Sequence, residues 1–415
     1  MVNVLRRTGG HLKGKIRALL GKRSFEKTIA EIEGMDFSEN DLRENEAIMT
    51  SFSKISDLDI QSVNWFLPYV GETGYAGLRT ILRFMDHFSR VKGVLNRIII
   101  CNKPDADPGR LRSNISRLFP PLQNYEVVVL RNRDLDAIPA CDAAVATFWT
   151  TAYQMLKFKK AIGKFYFIQD YEPLFYPAGP MYALAEATYR FGFYAIVNTP
   201  GLWDVYRRQY PTPGSYFTPA LDTEIFYPPA SRVADGKFRL FFYGRPGAPR
   251  NAYEIGVLAI RRLKEEWGER LQVYVAGSPG QLIPRSSETP IFQNLGFLPY
   301  AKTADLYRTC DAGLIFMMTK HCSYIPLELM GCGTAVVSNR NEGNSWLLRH
   351  GENCLLSEPS VSCVAESVSR LIKDPSLVRR LSANGLSTVA GPSWDPEMEK
   401  VFNFMCRRQL VVSAL

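Results

Sequence analysis

This sequence predicts two α/β domains in tandem, each built on a doubly wound parallel sheet, and three observations carry the prediction. The chain has 415 residues, enough for two domains at roughly 100–200 residues each. Short apolar, β-rich runs alternate with longer helical patterns, which is the rhythm of right-handed βαβ crossovers. That rhythm stops over 222–236, where Pro228, Pro229, Ser231 and Gly236 break the periodicity, and then restarts. With 46% hydrophobic and 22% charged residues, a disordered chain is excluded.

The elements follow in order. Residues 1–55 read as a basic N-terminal extension. Eight basic residues and one acid between Met1 and Lys27 hold +7 of the formal +9. Leu12, Ile16, Leu19 and Leu20 fall at helical spacing, so a short basic amphipathic helix and a solvated basic tail both fit. Residues 56–225 form the first domain. Its expected strands are Val63–Leu67, Arg97–Cys101, Glu126–Leu130, Ala143–Phe148, Phe165–Gln169, Ala195–Asn198 and Ser215–Thr218, with helices over Gly77–Arg90, Thr150–Lys160, Pro180–Phe191 and Gly201–Gln209. Residues 236–393 form the second. Strands are expected at Phe238–Tyr243, Leu271–Ala276, Ile291–Phe297, Ala312–Met317, Ala335–Ser338 and Cys354–Leu356, with helices over Asn251–Trp267, Pro326–Gly331 and Ser360–Ile372. Residues 394–415 read as a closing helix from Trp394 to Gln409.

Other function classes lose ground on composition. None of the eight cysteines forms a C-x2-C pair and there are four histidines, so a structural zinc site has little support and no metal is expected. Most of the cysteines lie in apolar runs, a usage that suits a reducing cytosol. No stretch approaches the ~20 apolar residues of a membrane-spanning helix, and the N-terminus lacks the apolar core of a secretory signal. The expected location is cytoplasmic, with residues 1–27 as a candidate contact to an anionic membrane face. Basic residues are not interleaved with stacking aromatics, which argues against nucleic acid.

Four segments can carry chemistry. The run from Lys320 through Ser323, Tyr324, Ile325, Pro326 and Glu328 to Gly333, leading to Asn339, follows a strand, and Pro326 favours a helix start. The backbone N–H groups of Tyr324 to Leu327 would then form an anion site, with Glu328 turned toward ligand hydroxyls; a generic β-turn-α with a surface glutamate is the other reading. In the second segment, Gly244, Arg245, Gly247 and Arg250 follow the second domain's first strand. The glycines allow close backbone approach, and the two guanidiniums suit a diphosphate or are solvated loop arginines. The third is the turn Gly71, Gly74, Gly77, which can cradle a phosphate or a sugar. The fourth is Gln169-Asp170-Tyr171-Glu172 among aromatics, where the carboxylates either meet carbohydrate hydroxyls or cap the next turn.

Together these residues resemble the retaining glycosyltransferases of the GT-B fold, family 4. The resemblance rests on Gly244-Arg245 and on the run Pro326 to Gly333. It extends to the rhamnosyltransferase branch of bacterial surface-polysaccharide assembly, the WsaF-like, rhamnan-synthesis group, through Leu78-Arg79-Thr80-Ile81, Gln169-Asp-Tyr-Glu172, Phe175-Tyr-Pro177 and Ser323-Tyr-Ile-Pro-Leu-Glu328. The similarity covers about residues 64–390. It implies two Rossmann-like domains facing a cleft, the second holding the nucleotide sugar. Glu328 would hold the ribose hydroxyls, Arg245 the diphosphate, and Arg250 would stand where the family usually has a lysine. The implied donor site adds Gly244, Lys320, Ser323, Tyr324, Ile325, Pro326 and Asn339. The implied acceptor and phosphate loop comprises Gly74, Gly77, Arg79, Gln169, Asp170 and Glu172. Asp170 would orient the acceptor, and Arg245 and Arg250 would stabilise the leaving group, with no metal or cofactor.

One departure bears on the donor. The family's E-x7-E pattern places its first glutamate at position 320, where this chain has Lys320. Together with the branch resemblance, this points to dTDP-L-rhamnose as donor and to a growing, lipid-linked glycan as acceptor. Three rivals remain open on the residues. Gly71-x-x-Gly74-x-x-Gly77 with Tyr153-x3-Lys157 fits a short-chain dehydrogenase using NAD(P). Asp105-x-Asp107 and Asp134-x-Asp136 fit a metal-dependent GT-A enzyme. A non-catalytic glycan-binding scaffold fits the same fold.

Overall fold

The computed structural model describes Glu26 and residues 28–72, 77–278 and 291–407. The basic segment of residues 1–27 (Glu26 apart) and the turn residue Gly74 lie outside the described residues. The chain folds into two lobes, each around one all-parallel sheet.

The first lobe contains β1 (Ser62–Leu67), β2 (Leu95–Ile100), β3 (Glu126–Val129), β4 (Cys141–Ala146), β5 (Ala161–Ile168), β6 (Tyr194–Asn198) and β7 (Gly214–Phe217), in the spatial order β3-β2-β1-β4-β5-β6-β7. The central strands are predominantly apolar because helices cover both sheet faces; β1 is buried along nearly its whole length. Its helices are α1 (Glu39–Ser53), α2 (Leu78–Lys92), α3 (Pro108–Leu118), α4 (Trp149–Lys157), α5 (Pro180–Ala187) and α6 (Pro200–Gln209).

The second lobe contains β8 (Phe238–Tyr243), β9 (Leu271–Ala276), β10 (Gln293–Asn294), β11 (Ala312–Ile315), β12 (Ala335–Asn339) and β13 (Leu355–Ser357), in the order β10-β9-β8-β11-β12-β13. Its helices are α7 (Tyr253–Trp267), α8 (Tyr300–Thr309), α9 (Ile325–Gly331), α10 (Val361–Lys373) and α11 (Pro375–Val389). A last helix, α12 (Trp394–Met405), follows. Each sheet is sandwiched between two apolar layers.

Three boundaries differ from the sequence expectation. The expected extension over 1–55 contains α1, which belongs to the first lobe: Ser38 and Asp41 form a capping box, and Met49 and Phe52 enter the core beside Phe165. The expected edge strand over Ile291–Phe297 shrinks to two residues, because it pairs with β9 alone and Asn294 Oδ1 accepts the Gly296 N–H at 3.0 Å, turning the chain. The closing helix ends at Met405 and crosses back to the first lobe. There Met398, Phe402 and Met405 pack with Phe84 and Phe88, Glu397 Oε2 accepts from Thr218 N at 2.8 Å, and Lys92 pairs with Glu399 at 2.8 Å.

Candidate active site between the lobes

The candidate residues sit on loops that leave the carboxyl ends of parallel strands, where open α/β sheets bind ligands. The loops after β1, β5 and β6 of the first lobe meet those after β8 and β11 of the second. Arg250, on the loop between β8 and α7, lies with its guanidinium 4.3 Å from the centre of the Phe175 ring of the first lobe. Its backbone carbonyl accepts the Met318 N–H at 2.7 Å, which ties the β8 and β11 loops together. Burial pushes the Arg250 guanidinium down from its ordinary value, the Asp170 carboxylate opposes that shift, and the neighbouring Arg245 adds to it. Arg245 in turn donates to the Tyr243 hydroxyl at 3.3 Å. Two positive groups from one lobe and a carboxylate from the other therefore share one electrostatic environment.

The turn into α2 presses on the same rim. A Cβ on Gly77 would lie 2.4 Å from Gln169 Nε2, so only glycine lets the Gln169 amide rest against this backbone. Gly244 is held by packing instead, since a Cβ there would meet Val275 Cγ1 at 2.4 Å. Lys320 bridges the lobes: its ammonium is 3.7 Å from Glu342 Oε2 and 5.0 Å from the centre of the Tyr171 ring. Arg208 of α6 reaches the same Glu342 oxygen at 3.6 Å.

Helix α9 starts as Pro326 predicts, with Tyr324 at its N-cap and Ile325, Pro326 and Leu327 buried. Ser323 just before it adopts φ 63°, a left-handed conformation that costs a non-glycine residue of order 1–3 kcal/mol and clusters at functional sites. The Tyr324 hydroxyl accepts from Thr80 Oγ1 at 3.2 Å and donates to Asn198 Oδ1 at 3.2 Å, both in the first lobe. Glu328 faces a charged group at the lobe junction. Burial pushes its carboxyl up to about 8, Asp222 pushes it the same way and Arg79 opposes. Asp222 pairs with Arg83 at 2.7 Å and lies 3.8 Å from Arg79 Nε, and it accepts from the Tyr300 hydroxyl at 3.0 Å. Arg79 also stacks 4.3 Å from the Tyr300 ring centre and donates to Leu118 O at 3.1 Å.

Some expected residues are engaged elsewhere. Glu172 turns inward, accepting from Trp149 N and Tyr166 Oη, each at 2.7 Å, so it caps α4; burial pushes its carboxyl up to about 8 against those bonds. Asn339 bonds backbone through both side-chain atoms, accepting from Met317 N at 2.8 Å and donating to Met317 O at 2.9 Å. Each leaves the rim for the same reason, that a buried polar group must find a partner. Asp107 caps α3 through Arg110 N at 2.7 Å, Asp134 caps a short turn through Asp136 N and Ala137 N, and Asp105 pairs with Lys103. Tyr153 is a core residue whose hydroxyl donates to Leu184 O at 2.9 Å.

Comparison with known proteins places this geometry. The family models for the WsaF N-terminal domain and the WsaF C-terminal domain match residues 62–199 and 238–369, one per lobe and together more than half of the chain. The chain belongs to the WsaF family. Over 343 residues it is 42% identical to the O-antigen biosynthesis protein RfbC of Myxococcus xanthus, covering 82% of this chain and 27% of RfbC. It therefore spans about a quarter of that relative's length. A 66-residue stretch is 38% identical to the lipopolysaccharide core biosynthesis glycosyltransferase LpsE of Rhizobium meliloti, covering 16% of this chain and 19% of LpsE. Among solved structures, Anabaena HepE in complex with UDP and glucose aligns with TM-score 0.64 at 13% identity, over 84% of this chain and 100% of HepE. Sucrose-phosphate synthase of Thermosynechococcus elongatus aligns with TM-score 0.61 at 14% identity, over 83% and 98%. At such identities the likeness shows the fold, the two-lobed GT-B architecture of glycosyltransferases.

In this WsaF-family chain the rim can hold an anion beside two guanidiniums and offers a carboxylate across the gap. The sequence reading passed over Arg83, Asp222, Tyr300 and His321. Arg83 stands four residues after Arg79 on one face of α2, a legible spacing. Asp222 lies in the segment read as linker, and no local pattern marks it.

Proposed function

We propose that this chain is a glycosyltransferase of O-antigen or related surface-polysaccharide assembly, transferring a sugar from a nucleotide-sugar donor to a glycan acceptor. The observation that carries the reading is the convergence of Arg245 and Arg250 with Asp170 across the lobe junction of a chain with both WsaF domains. Breaking the anomeric C–O bond builds negative charge on the nucleoside diphosphate, and fixed positive groups lower that barrier without reorganising. Arg245 and Arg250 supply them, and the start of α9 adds backbone N–H groups. On this reading no metal is required, and Asp170 orients the acceptor hydroxyl. Retention follows if the acceptor attacks from the leaving-group face, its proton passing to the departing phosphate. Glu328 holds the ribose hydroxyls.

The finer proposal is an L-rhamnose donor, dTDP-L-rhamnose, and a lipid-linked acceptor. Lys320 supports it, because its ammonium is turned toward Glu342 and Tyr171 and offers no carboxylate to the hydroxyls of glucose or mannose. Residues 1–27, at about 1 kcal/mol per basic residue near an anionic bilayer, would hold the enzyme where such acceptors reside.

A thermal-shift panel of dTDP, UDP and GDP tests the donor class, since a ligand stabilises as RT ln(1 + [L]/Kd). Selective stabilisation by dTDP is expected. Equal turnover of UDP-glucose and dTDP-L-rhamnose would defeat the rhamnosyl assignment, and loss of turnover in EDTA the metal-free one. Deleting residues 1–27 should abolish co-sedimentation with anionic vesicles; unchanged binding refutes the membrane role.

A further inference from the structure

His321 is buried on the loop between β11 and α9, next to Lys320. Its Nδ1 accepts the Ser323 N–H at 3.1 Å, so the ring proton of the neutral imidazole is on Nε2. That Nε2–H has no partner among the described residues. A buried donor without a partner calls for a reason, because leaving it so is unfavourable. Two more buried atoms without a partner among the described residues belong to the loops after β11 and β8. Thr319 Oγ1 is two residues away, and Asn251 Oδ1 belongs to a side chain whose Nδ2 is tied to Phe316 O at 3.0 Å. The three atoms offer a donor, a hydroxyl that can donate or accept, and an acceptor.

The surrounding charge selects the ligand chemistry. Burial pushes the His321 imidazole down from its ordinary range, and the Asp170 carboxylate, the charge that opposes this, faces it from the first lobe. A neutral donor within the field of a carboxylate is a poor phosphate site. It suits an uncharged oxygen, and the positive groups that suit phosphate, Arg245 and Arg250, lie on the neighbouring loop. Lys320 does not fill the gap, since its ammonium is directed to Glu342 and Tyr171.

We infer that His321 is a specificity-determining residue whose Nε2–H donates to a hydroxyl oxygen of the donor sugar. This rests on the glycosyltransferase reading. In that role it takes over the recognition of sugar hydroxyls at the place where Lys320 has removed a carboxylate.

The test compares His321→Ala and His321→Gln, titrating each with dTDP-L-rhamnose and with dTDP alone, and measuring kcat/KM for the sugar nucleotide. His321→Ala should weaken dTDP-L-rhamnose about 10- to 100-fold, the size of one buried hydrogen bond left unmatched, while dTDP binds within about twofold of wild type. His321→Gln keeps an N–H on a side chain of similar reach and should recover most of the loss. Removing the ring also removes the Nδ1 acceptor of the Ser323 N–H, so the Ala variant should melt below wild type, and it is the unchanged dTDP affinity that separates the sugar contact from a structural role. Unchanged dTDP-L-rhamnose affinity in His321→Ala overturns the inference. So does equal weakening of dTDP and dTDP-L-rhamnose, the pattern of a structural residue. A wild-type chain that binds neither compound overturns the dTDP-sugar donor assignment and this inference with it.

Discussion

Replacing Glu328 by glutamine should make the protein more stable at pH 8 and a poorer nucleotide binder. Burial pushes the Glu328 carboxyl from its ordinary 4.5 to about 8, with Asp222 adding and Arg79 opposing. The folded state therefore holds this proton through a pH window in which the unfolded chain has lost it. Stability changes with pH as the difference in protons bound by the unfolded and native states, so it falls as pH rises from about 4.5 to about 8 and is level above. Each unit is about 1.4 kcal/mol, which sets an upper limit near 5 kcal/mol. The side chain is only half-buried and solvent screens it, so about 1–2 kcal/mol is the expected size. Glutamine has no proton to lose and escapes that decline. The melting temperature of Glu328→Gln should match wild type near pH 4.5 and exceed it by about 2–6 °C at pH 8, for a lobe of this size. Affinity for the nucleoside diphosphate should fall about 10- to 100-fold, because the amide does not reproduce the carboxyl's buried hydrogen bonds to the ribose hydroxyls. Scanning fluorimetry from pH 4.5 to 8.5, with and without nucleotide, reads both effects. A stability difference that does not vary with pH would refute the electrostatic reasoning, and unaltered nucleotide affinity the ribose role.

Arg250→Ala should lower kcat about 10²–10³-fold, with Arg250→Lys recovering part of it, since lysine keeps the charge but loses the planar fork and the stacking on Phe175; a change below about fivefold would remove Arg250 from the charge-stabilising set. Tyr324→Phe leaves Thr80 Oγ1 and Asn198 Oδ1 without their shared partner. About 1–3 kcal/mol of stability should go, and small-angle scattering should report a larger radius of gyration as the lobes part. Lys164 is fully buried, donates to Leu156 O at 3.0 Å, and is pushed by burial down to about 7. The unfolded chain binds the extra proton between about 7 and 10.5, so stability rises with pH across that window. Lys164→Met should therefore raise the melting temperature most below pH 7, the gain shrinking toward pH 10, and a gain that grows with pH would contradict the burial argument.

The strands were the legible part of the fold. Runs such as Val63–Leu67 and Phe238–Tyr243 are mostly apolar, each with one polar residue (Asn64, Arg239) and no strict alternation, because helices cover both sheet faces, so their character is written locally. Caps are legible too: Asp107-Pro108 and Asp374-Pro375 mark the starts of α3 and α11, which apolar periodicity alone does not show. Arg245, Arg250, Asp170, Gln169 and Gly77 come to one rim because all leave the carboxyl ends of parallel strands, which sequence order and the crossover rule already imply.

Side-chain direction was not legible. Glu172 and Asp170 are two residues apart on one loop, yet Glu172 turns under Trp149 and Tyr166 while Asp170 faces the second lobe. Nothing in the local pattern separates them, because the choice depends on which buried donors need an acceptor. Composition and periodicity by themselves determined that this chain forms two parallel α/β domains, and its motifs where their binding edges lie. Only the tertiary structure decided that Tyr324, Lys320 and Arg250 bridge the lobes, that α12 returns to the first core, and that the His321 Nε2–H has no partner among the described residues. Those are facts about groups distant in sequence, and they are settled by packing, burial and the pairing of charges rather than by any repeat along the chain.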